Sequence, residues 1–407
     1  MSLQKIAGQF ANHVAALKAN GTAKGKEKIV TGIKAAEAGF SERYYLAGYG
    51  DRTFLRMNSN SYLGLALHRQ LIETEAKAAE QFGTGPGAVR FISGTYRPHI
   101  ELEKALASFH SRESAMAMSA AYATVMGVLP QLVTSSTLVV SDALNHNSII
   151  TAIRLSQPAD KAVYAHLDMR ALDKLLDTNK GQVKRVCVVT DGVFSMRGDH
   201  APLDEIAAIC KQHEPSYEEG IITIVDDSHG VGALGRTGRG TEEYTHAQAD
   251  ILIATLGKAL GVNGGYVVSN ASVIDYLRET APFYIYSNPI TPAEAAAALT
   301  SLQILDSAEG VELLAHLRKL GNKLRTGLKD LGYETIMSDH PIVPLFIRNT
   351  EKTSALVEYL FDHNILVTGL NYPVVPKGDE EIRLQVAANQ TEKDIDSLLE
   401  RLKSFAA

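Results

Sequence analysis

Between residues 137 and 269 the chain alternates short, mostly apolar runs with amphipathic stretches, a rhythm that few folds accept. The runs are Leu138–Ser141, Ala162–Ala165, Arg185–Thr190, Ile221–Val225, Ile251–Thr255 and Gly265–Ser269. Helical spacing fills intervals such as Met169–Leu176 and Pro202–Gln212. Strands polar on neither face are buried on both, so the pattern predicts an α/β fold, a mainly parallel central sheet with helices on both faces. In such sheets ligands bind beyond the carboxyl ends of the strands. The residues just after Thr190, Val225 and Ile253 are therefore where chemistry is expected.

At about 150 residues per domain, 407 residues suggest two or three units. Residues 1–57 read as an N-terminal helix (Leu3–Lys18) and a glycine-broken linker ending in a strand, Thr53–Met57. Residues 58–290 form the large domain. Asn288-Pro289 and Thr291-Pro292 mark a boundary, and 291–407 read as a smaller α+β C-terminal domain. Its helices are expected at Pro292–Ala308, Leu313–Leu331, Thr353–His363 and Thr391–Ser404, its strands at Ile342–Ile347, Leu366–Thr368 and Ile382–Gln385. The N-terminal segment could pack on either unit.

A formal charge of −6 gives no basic balance for nucleic acid or an anionic membrane. Cys187 and Cys210, the two thiols, fall in a buried strand and a helix, which suits a reducing compartment without disulfides. No apolar run reaches about 18 residues and the N-terminus lacks a signal-peptide core, so a cytoplasmic location is expected.

Val225-Asp226-Asp227-Ser228-His229-Gly230 is followed about 30 residues later by Thr255-Leu256-Gly257-Lys258-Ala259. Taken singly, Lys258 is a surface lysine on a turn and the aspartates a strand-end acidic pair. Together at strand ends they suit a carbonyl cofactor. A lysine that forms a Schiff base must be unhindered and desolvated, because only the neutral amine attacks. An aspartate beside a pyridine nitrogen keeps it protonated and makes the ring an electron sink. Gly83-Thr84-Gly85-Pro86-Gly87 follows a helix, not a strand, and so is no nucleotide loop. His99 and Glu103 share a helix face, but two ligands do not make a metal site, and none is expected.

In order along the chain, Asn60-Ser61-Tyr62-Leu63-Gly64-Leu65, Arg90–Thr95, Ser141–His146, Asp191–Met196, the two motifs above and Ile382-Arg383-Leu384 resemble the α-oxoamine synthases. These are fold-type I pyridoxal-phosphate enzymes that join an amino acid to an acyl thioester. The resemblance implies pyridoxal 5'-phosphate held by Lys258, with Asp226 at its pyridine nitrogen, His146 stacked on the ring, and His229 near the phenolic oxygen with Ser195 at the same edge. The amides of Ala121 and Tyr122 at a helix start, with Thr255, would hold the phosphate. Ser287 resembles a phosphate ligand given by the neighbouring subunit of a homodimer, or is equally a helix N-cap. Arg383, otherwise an exposed strand charge, and Asn60 would take the substrate carboxylate. The family often carries Gly or Cys at position 121 and Asn at 125; here stand Ala121 and Val125, so polar contacts from the latter are lost. The glycine-rich 83–87 segment would form a lip of the substrate channel.

The implied reaction begins with proton removal from the amino acid Cα by freed Lys258. The carbanion then attacks an acyl-CoA or an acyl carrier protein thioester, and the carboxylate is lost on the enzyme or after release. Tyr372–Gly378 and Asp191–Met196 look closest to the glycine C-acetyltransferase branch, favouring glycine and acetyl-CoA. Gly94-Thr95-Tyr96, His99 and Gly198–Leu203 look more like the serine palmitoyltransferase branch. A catalytically silent scaffold subunit and a fold-type I aminotransferase are the other readings; intact Lys258, Asp226, His146 and Arg383 count against the first.

Overall fold

The computed structural model describes residues 2–20, 23, 25–372 and 375–406. Strands β1 (Val30–Lys34), β2 (Arg43–Leu46) and β3 (Thr53–Arg56) lead into the central sheet. That sheet contains β4 (Ser114–Met118), β5 (Thr137–Asp142), β6 (Asp160–Tyr164), β7 (Arg185–Asp191), β8 (Ile221–Asp226), β9 (Ile251–Thr255) and β10 (Gly265–Ser269). The C-terminal strands are β11 (Ile342–Phe346), β12 (Ile365–Leu366), β13 (Thr368–Leu370) and β14 (Glu381–Gln385).

The central sheet has seven strands in the order β4-β10-β9-β8-β7-β5-β6. Only β10 runs antiparallel to its neighbours; the other pairs are parallel. Successive residues enter opposite cores, as a strand period of two requires. Leu138, Val140, Val186 and Val188 join one cluster, and Val139, Cys187 and Val189 the other. Cys187 and Cys210 are free and buried, and belong to different cores.

One strand departs from the expectation of burial on both faces. β6 is the edge strand, and Val163 is 65% exposed. Val163 reflects β-propensity, not a core position, whereas Tyr164 at the strand's end is buried in the core.

The C-terminal unit holds a three-stranded antiparallel sheet, β11-β14-β13. A second sheet, β1-β2-β3-β12, pairs β3 in parallel with β12. The N-terminal strands therefore join the C-terminal unit, 309 or more positions away in sequence at the Arg52–Phe361 bond. Helix Pro292–Leu305, starting at a Thr291–Glu294 capping box, packs against helices Arg69–Phe82 and Arg97–Phe109 of the large unit. Asp306 and Ser307 end it, and helix Ala308–Asp330 carries the chain to β11. Among the described residues no helix is long and apolar enough to cross a membrane.

Candidate active site

The carboxyl ends of β7, β8 and β9 deliver Asp191, Asp226 and Thr255 to one cavity of about 280 Å³. Tyr122, His146, His229 and Lys258 complete its principal walls, and Ser195 lies on it as expected. Lys258 also walls a second cavity of about 380 Å³, formed with Arg56, Asn58, Asn60 and Ser61. Lys258 thus stands between two spaces.

Electrostatics make that lysine reactive. Burial pushes its amine down to about 8, against the opposing pull of Asp226 and Asp191. Asp191 and Asp226 face each other in register at the ends of β7 and β8. Burial, and then the charge of Asp226, hold the Asp191 carboxyl well above the usual range, and Asp191 Oδ2 accepts the His146 backbone N–H at 2.8 Å. Asp226 Oδ1 accepts the N–H of Ser228 at 3.1 Å.

His146 caps helix Asn147–Leu155, and its Nδ1 accepts the Ser148 N–H at 3.2 Å. Burial, then Lys258 nearby, lower its basicity. His229 is buried, with Nδ1 2.7 Å from the Tyr62 hydroxyl. Burial and the cations Lys258 and Arg383 keep it neutral, well below the ordinary imidazole range. Arg383 Nη2 donates to Asn60 Oδ1 at 3.1 Å, and the arginine is half-buried rather than an exposed strand charge. Arg383 and Asn60 therefore meet beside the cavity that Lys258 shares.

The helix Ala121–Leu132 opens without a side-chain cap, leaving first-turn amides open at the cavity wall beside Ala121 and Tyr122. Gly265 lies directly behind: a Cβ there would sit 2.3 Å from the Ala121 nitrogen. Thr255 is at the cavity, but its hydroxyl already donates to Gly264 O at 3.1 Å and accepts from Gly257 N at 3.0 Å. Val125 is buried in the core. Ser287 lines neither cavity of its own chain, and it is no N-cap, since Thr291 caps the following helix.

Ser148 was not singled out from the sequence, and Asp191 and Ser228, though within the quoted strand-end segments, were given no role there. The available signal was the aspartate ending β7, whose neighbour in register is Asp226. Ser228 Oγ is buried with no partner among the described residues. Asp227 faces away from the cavity, accepting from the Thr241 hydroxyl (2.6 Å) and N–H (2.7 Å). Residues 83–87 line neither cavity. His99 bonds Ile290 O (2.8 Å) and the Tyr96 N–H, while Glu103 is spent on Arg90 and Arg278.

A neutralisable lysine, a strand-end aspartate pair, a histidine on the cavity wall and an open helix N-terminus fit a pyridine aldehyde bearing a phosphate. The orphaned Ser228 hydroxyl and the close Gly265 backbone are consistent with a site shaped for a bound group.

Residues 52–402 match the family model for class I and II aminotransferases. An 8-amino-7-oxononanoate synthase from Marinobacter nauticus is 41% identical over 354 residues, covering 86% of this chain and 87% of that protein. The enzyme of the same name from Geobacter metallireducens is 40% identical over 343 residues, covering 84% and 86%. The structure of Sphingomonas wittichii serine palmitoyltransferase superposes with a TM-score of 0.87 at 27% identity, covering 99% of this chain and 97% of that one. The chain belongs to the class I and II aminotransferase family and, within it, to the α-oxoamine synthases. It is a fold-type I, pyridoxal-phosphate-dependent acyltransferase, which sets aside the scaffold and aminotransferase readings.

Proposed function

We propose that this enzyme condenses a small α-amino acid with an acyl thioester longer than acetyl, working as a homodimer. The observation that carries the reading is the place of Lys258 between a cavity suited to the cofactor and a second, larger cavity bounded by Asn60 and Arg56. Bound pyridoxal phosphate supplies the electron sink for a carbanion at the amino acid Cα. Lys258 holds the cofactor and, as a neutral amine, takes the Cα proton. Arg383 and Asn60 hold the carboxylate, His146 covers the ring face, Asp226 pairs with the ring nitrogen, and His229 and Ser195 serve the phenolic edge. A bond forms between Cα and the acyl carbonyl carbon, the C–S bond breaks with departure of the thiol, and carbon dioxide is then lost. Ala121 and Tyr122 receive the phosphate on their amides, with Thr255 once its hydroxyl turns from Gly264 O and with Ser287 of the other copy; exposed Phe283 and Tyr286, close to Ser287 in sequence, are apolar surface for that copy to cover.

Acyl length is argued from the second cavity. It holds one permanent cation, Arg56, beside Lys258, and no carboxylate. Through Arg56, Ser59, Ser61 and Ala66 it adjoins a third cavity of about 240 Å³ that includes Val30, Ile33 and Tyr44. Arg56 stacks 4.3 Å over Tyr44 and donates to Ser59 Oγ at 2.8 Å. Relatives named 8-amino-7-oxononanoate synthase support a chain beyond two carbons. Glycine with acetyl-CoA is the second reading, kept for the Tyr372–Gly378 segment, whose Pro373 and Val374 lie outside the described residues.

The test is free-thiol release by the cofactor-loaded enzyme with glycine, alanine and serine against acetyl-, octanoyl- and palmitoyl-CoA. Preference for the longer chains is expected. Release confined to glycine and acetyl-CoA would establish the second reading instead.

A further inference from the structure

Tyr62 takes no part in the reaction as set out above, yet it is fully buried at the meeting point of its two most important polar groups. Its hydroxyl lies 2.7 Å from His229 Nδ1 and 3.3 Å from Asn60 Oδ1, and it is hydrogen-bonded to the Arg383 guanidinium. A guanidinium has no acceptor, so in that bond the tyrosine oxygen accepts. Two acceptors are in reach of its single proton, but Asn60 Oδ1 already takes the Arg383 Nη2–H at 3.1 Å, so the proton goes to the shorter contact, His229 Nδ1. A neutral imidazole that accepts at Nδ1 carries its proton on Nε2, the nitrogen left for the cavity.

A second histidine fixes the pair from behind. His340, buried at the entry to β11, accepts the Ile342 N–H on Nδ1 at 3.1 Å, which places its own proton on Nε2. That Nε2–H donates to the His229 carbonyl at 2.8 Å, and the ring meets Tyr62 edge-on at 5.3 Å. The charged and titratable groups acting on His229 are Lys258, Arg383, His340 and His146. None of these supplies an alternative acceptor for an Nδ1 proton.

We propose that Tyr62 is a positioning residue that fixes His229 as its Nε2–H tautomer and ties it, through one oxygen, to the arginine that binds the substrate carboxylate. An Nε2–H presented to the cofactor's phenolic oxygen donates to that oxygen; the other tautomer would present a lone pair against it. Occupation of Arg383 by a carboxylate therefore acts on the same hydrogen-bond chain that orients His229. The link to the phenolic oxygen rests on the function proposed above, whereas the tautomer does not.

The test uses Tyr62→Phe, which keeps the buried ring and removes only the hydroxyl. In 15N-histidine-labelled protein, with or without cofactor, the His229 signals are identified by their loss in His229→Gln. Wild type is expected to show a bare Nδ1 and a protonated Nε2, and Tyr62→Phe a mixture. In the loaded enzyme Tyr62→Phe should move the pH midpoint of the visible absorbance by half a unit or more. It should also lower kcat about tenfold, the worth of one buried hydrogen bond, with KM for the acyl thioester within about twofold. An Nδ1–H on wild-type His229 overturns the proposal whether or not the variant folds, as does an unmoved tautomer and midpoint in Tyr62→Phe. If no substrate pair releases thiol from wild type, the proposed function fails while the tautomer measurement still decides this one.

Discussion

Replacing Gly265 by alanine should empty the cofactor site without touching a residue that bonds to cofactor through its side chain. An ideal Cβ at Gly265 lies 2.3 Å from the Ala121 nitrogen, 2.4 Å from its Cα and 2.6 Å from the Ala120 carbonyl carbon, all backbone. Ordinary contact begins near 3.4 Å, so the start of helix Ala121–Leu132 must retreat by about 1 Å. A hydrogen bond of about 2.9 Å stretched by that amount is lost. One charge-assisted amide–phosphate bond is worth about 1.5–3 kcal/mol, and the helix N-terminus adds about 0.3–1 kcal/mol for an anion. A net loss of about 2–3 kcal/mol raises the pyridoxal phosphate Kd by about 30- to 150-fold. Absorbance titration of the apoprotein measures this, with its Tm recorded alongside, because overpacking itself costs about 1–3 kcal/mol. Gly85→Ala, where a Cβ meets nothing within 4 Å, is the control and should bind as wild type. A folded Gly265→Ala protein with Kd within twofold of wild type would refute the phosphate cradle.

Other predictions follow from the charges. Burial sets Lys258 at about 8, so its neutral fraction, and with it the rate of cofactor capture by the apoprotein, should rise about tenfold per pH unit up to pH 8 and then level. A rate flat from pH 6.5 to 8 would contradict a desolvated Lys258. Arg56→Gln should raise KM for an acyl-CoA whose chain ends in a carboxylate about five- to thirtyfold, the loss of about 1–2 kcal/mol, and leave octanoyl-CoA unchanged; equal KM changes for both would remove Arg56 from the acyl site. His166, between Asp142 (3.0 Å) and Asp199 (3.2 Å), is half-buried, which lowers its basicity, yet it is raised from 6.5 to about 9 by hydrogen bonds to these two carboxylates. A raised histidine stabilises fully below its unfolded value and loses that stability as pH climbs through the folded one. Denaturant titrations should therefore show stability falling by about 2–3 kcal/mol between pH 6.5 and 9, with the slope reduced in His166→Gln. A slope unchanged in His166→Gln would assign the loss elsewhere.

Much of this architecture is visible in the residues because buried parallel strands advertise themselves. Arg185–Thr190, Ile221–Val225, Ile251–Thr255 and Gly265–Ser269 fall within a residue of β7, β8, β9 and β10. Strand β4 is hidden, since Ser114–Met118 is built of alanine and methionine, good helix formers, and is a strand only because β10 pairs with it. β1 and β2 are hidden for a related reason: their sheet is completed by β12, a partner some 300 residues distant. Lys258, Asp226, His146 and His229 were legible because each follows a strand end. Asp191 gains its meaning from the register that sets it against Asp226, and Arg56 from the cavities on either side of it, and neither property is local. The expected edge burial of Ala162–Ala165 failed because apolar content does not reveal which strand is outermost.

The central claim is that Lys258 serves an acyl transfer in which the amino group stays on the product. Its most direct test counts, in one reaction of the loaded enzyme, thiol released, amino acid consumed and keto acid formed, the last being the 2-keto acid left when the amino acid loses its amino group. One thiol per amino acid, no keto acid, and loss of both changes in Lys258→Ala are the expected result. Keto acid formed without thiol, or thiol release at the wild-type rate in Lys258→Ala, would contradict it.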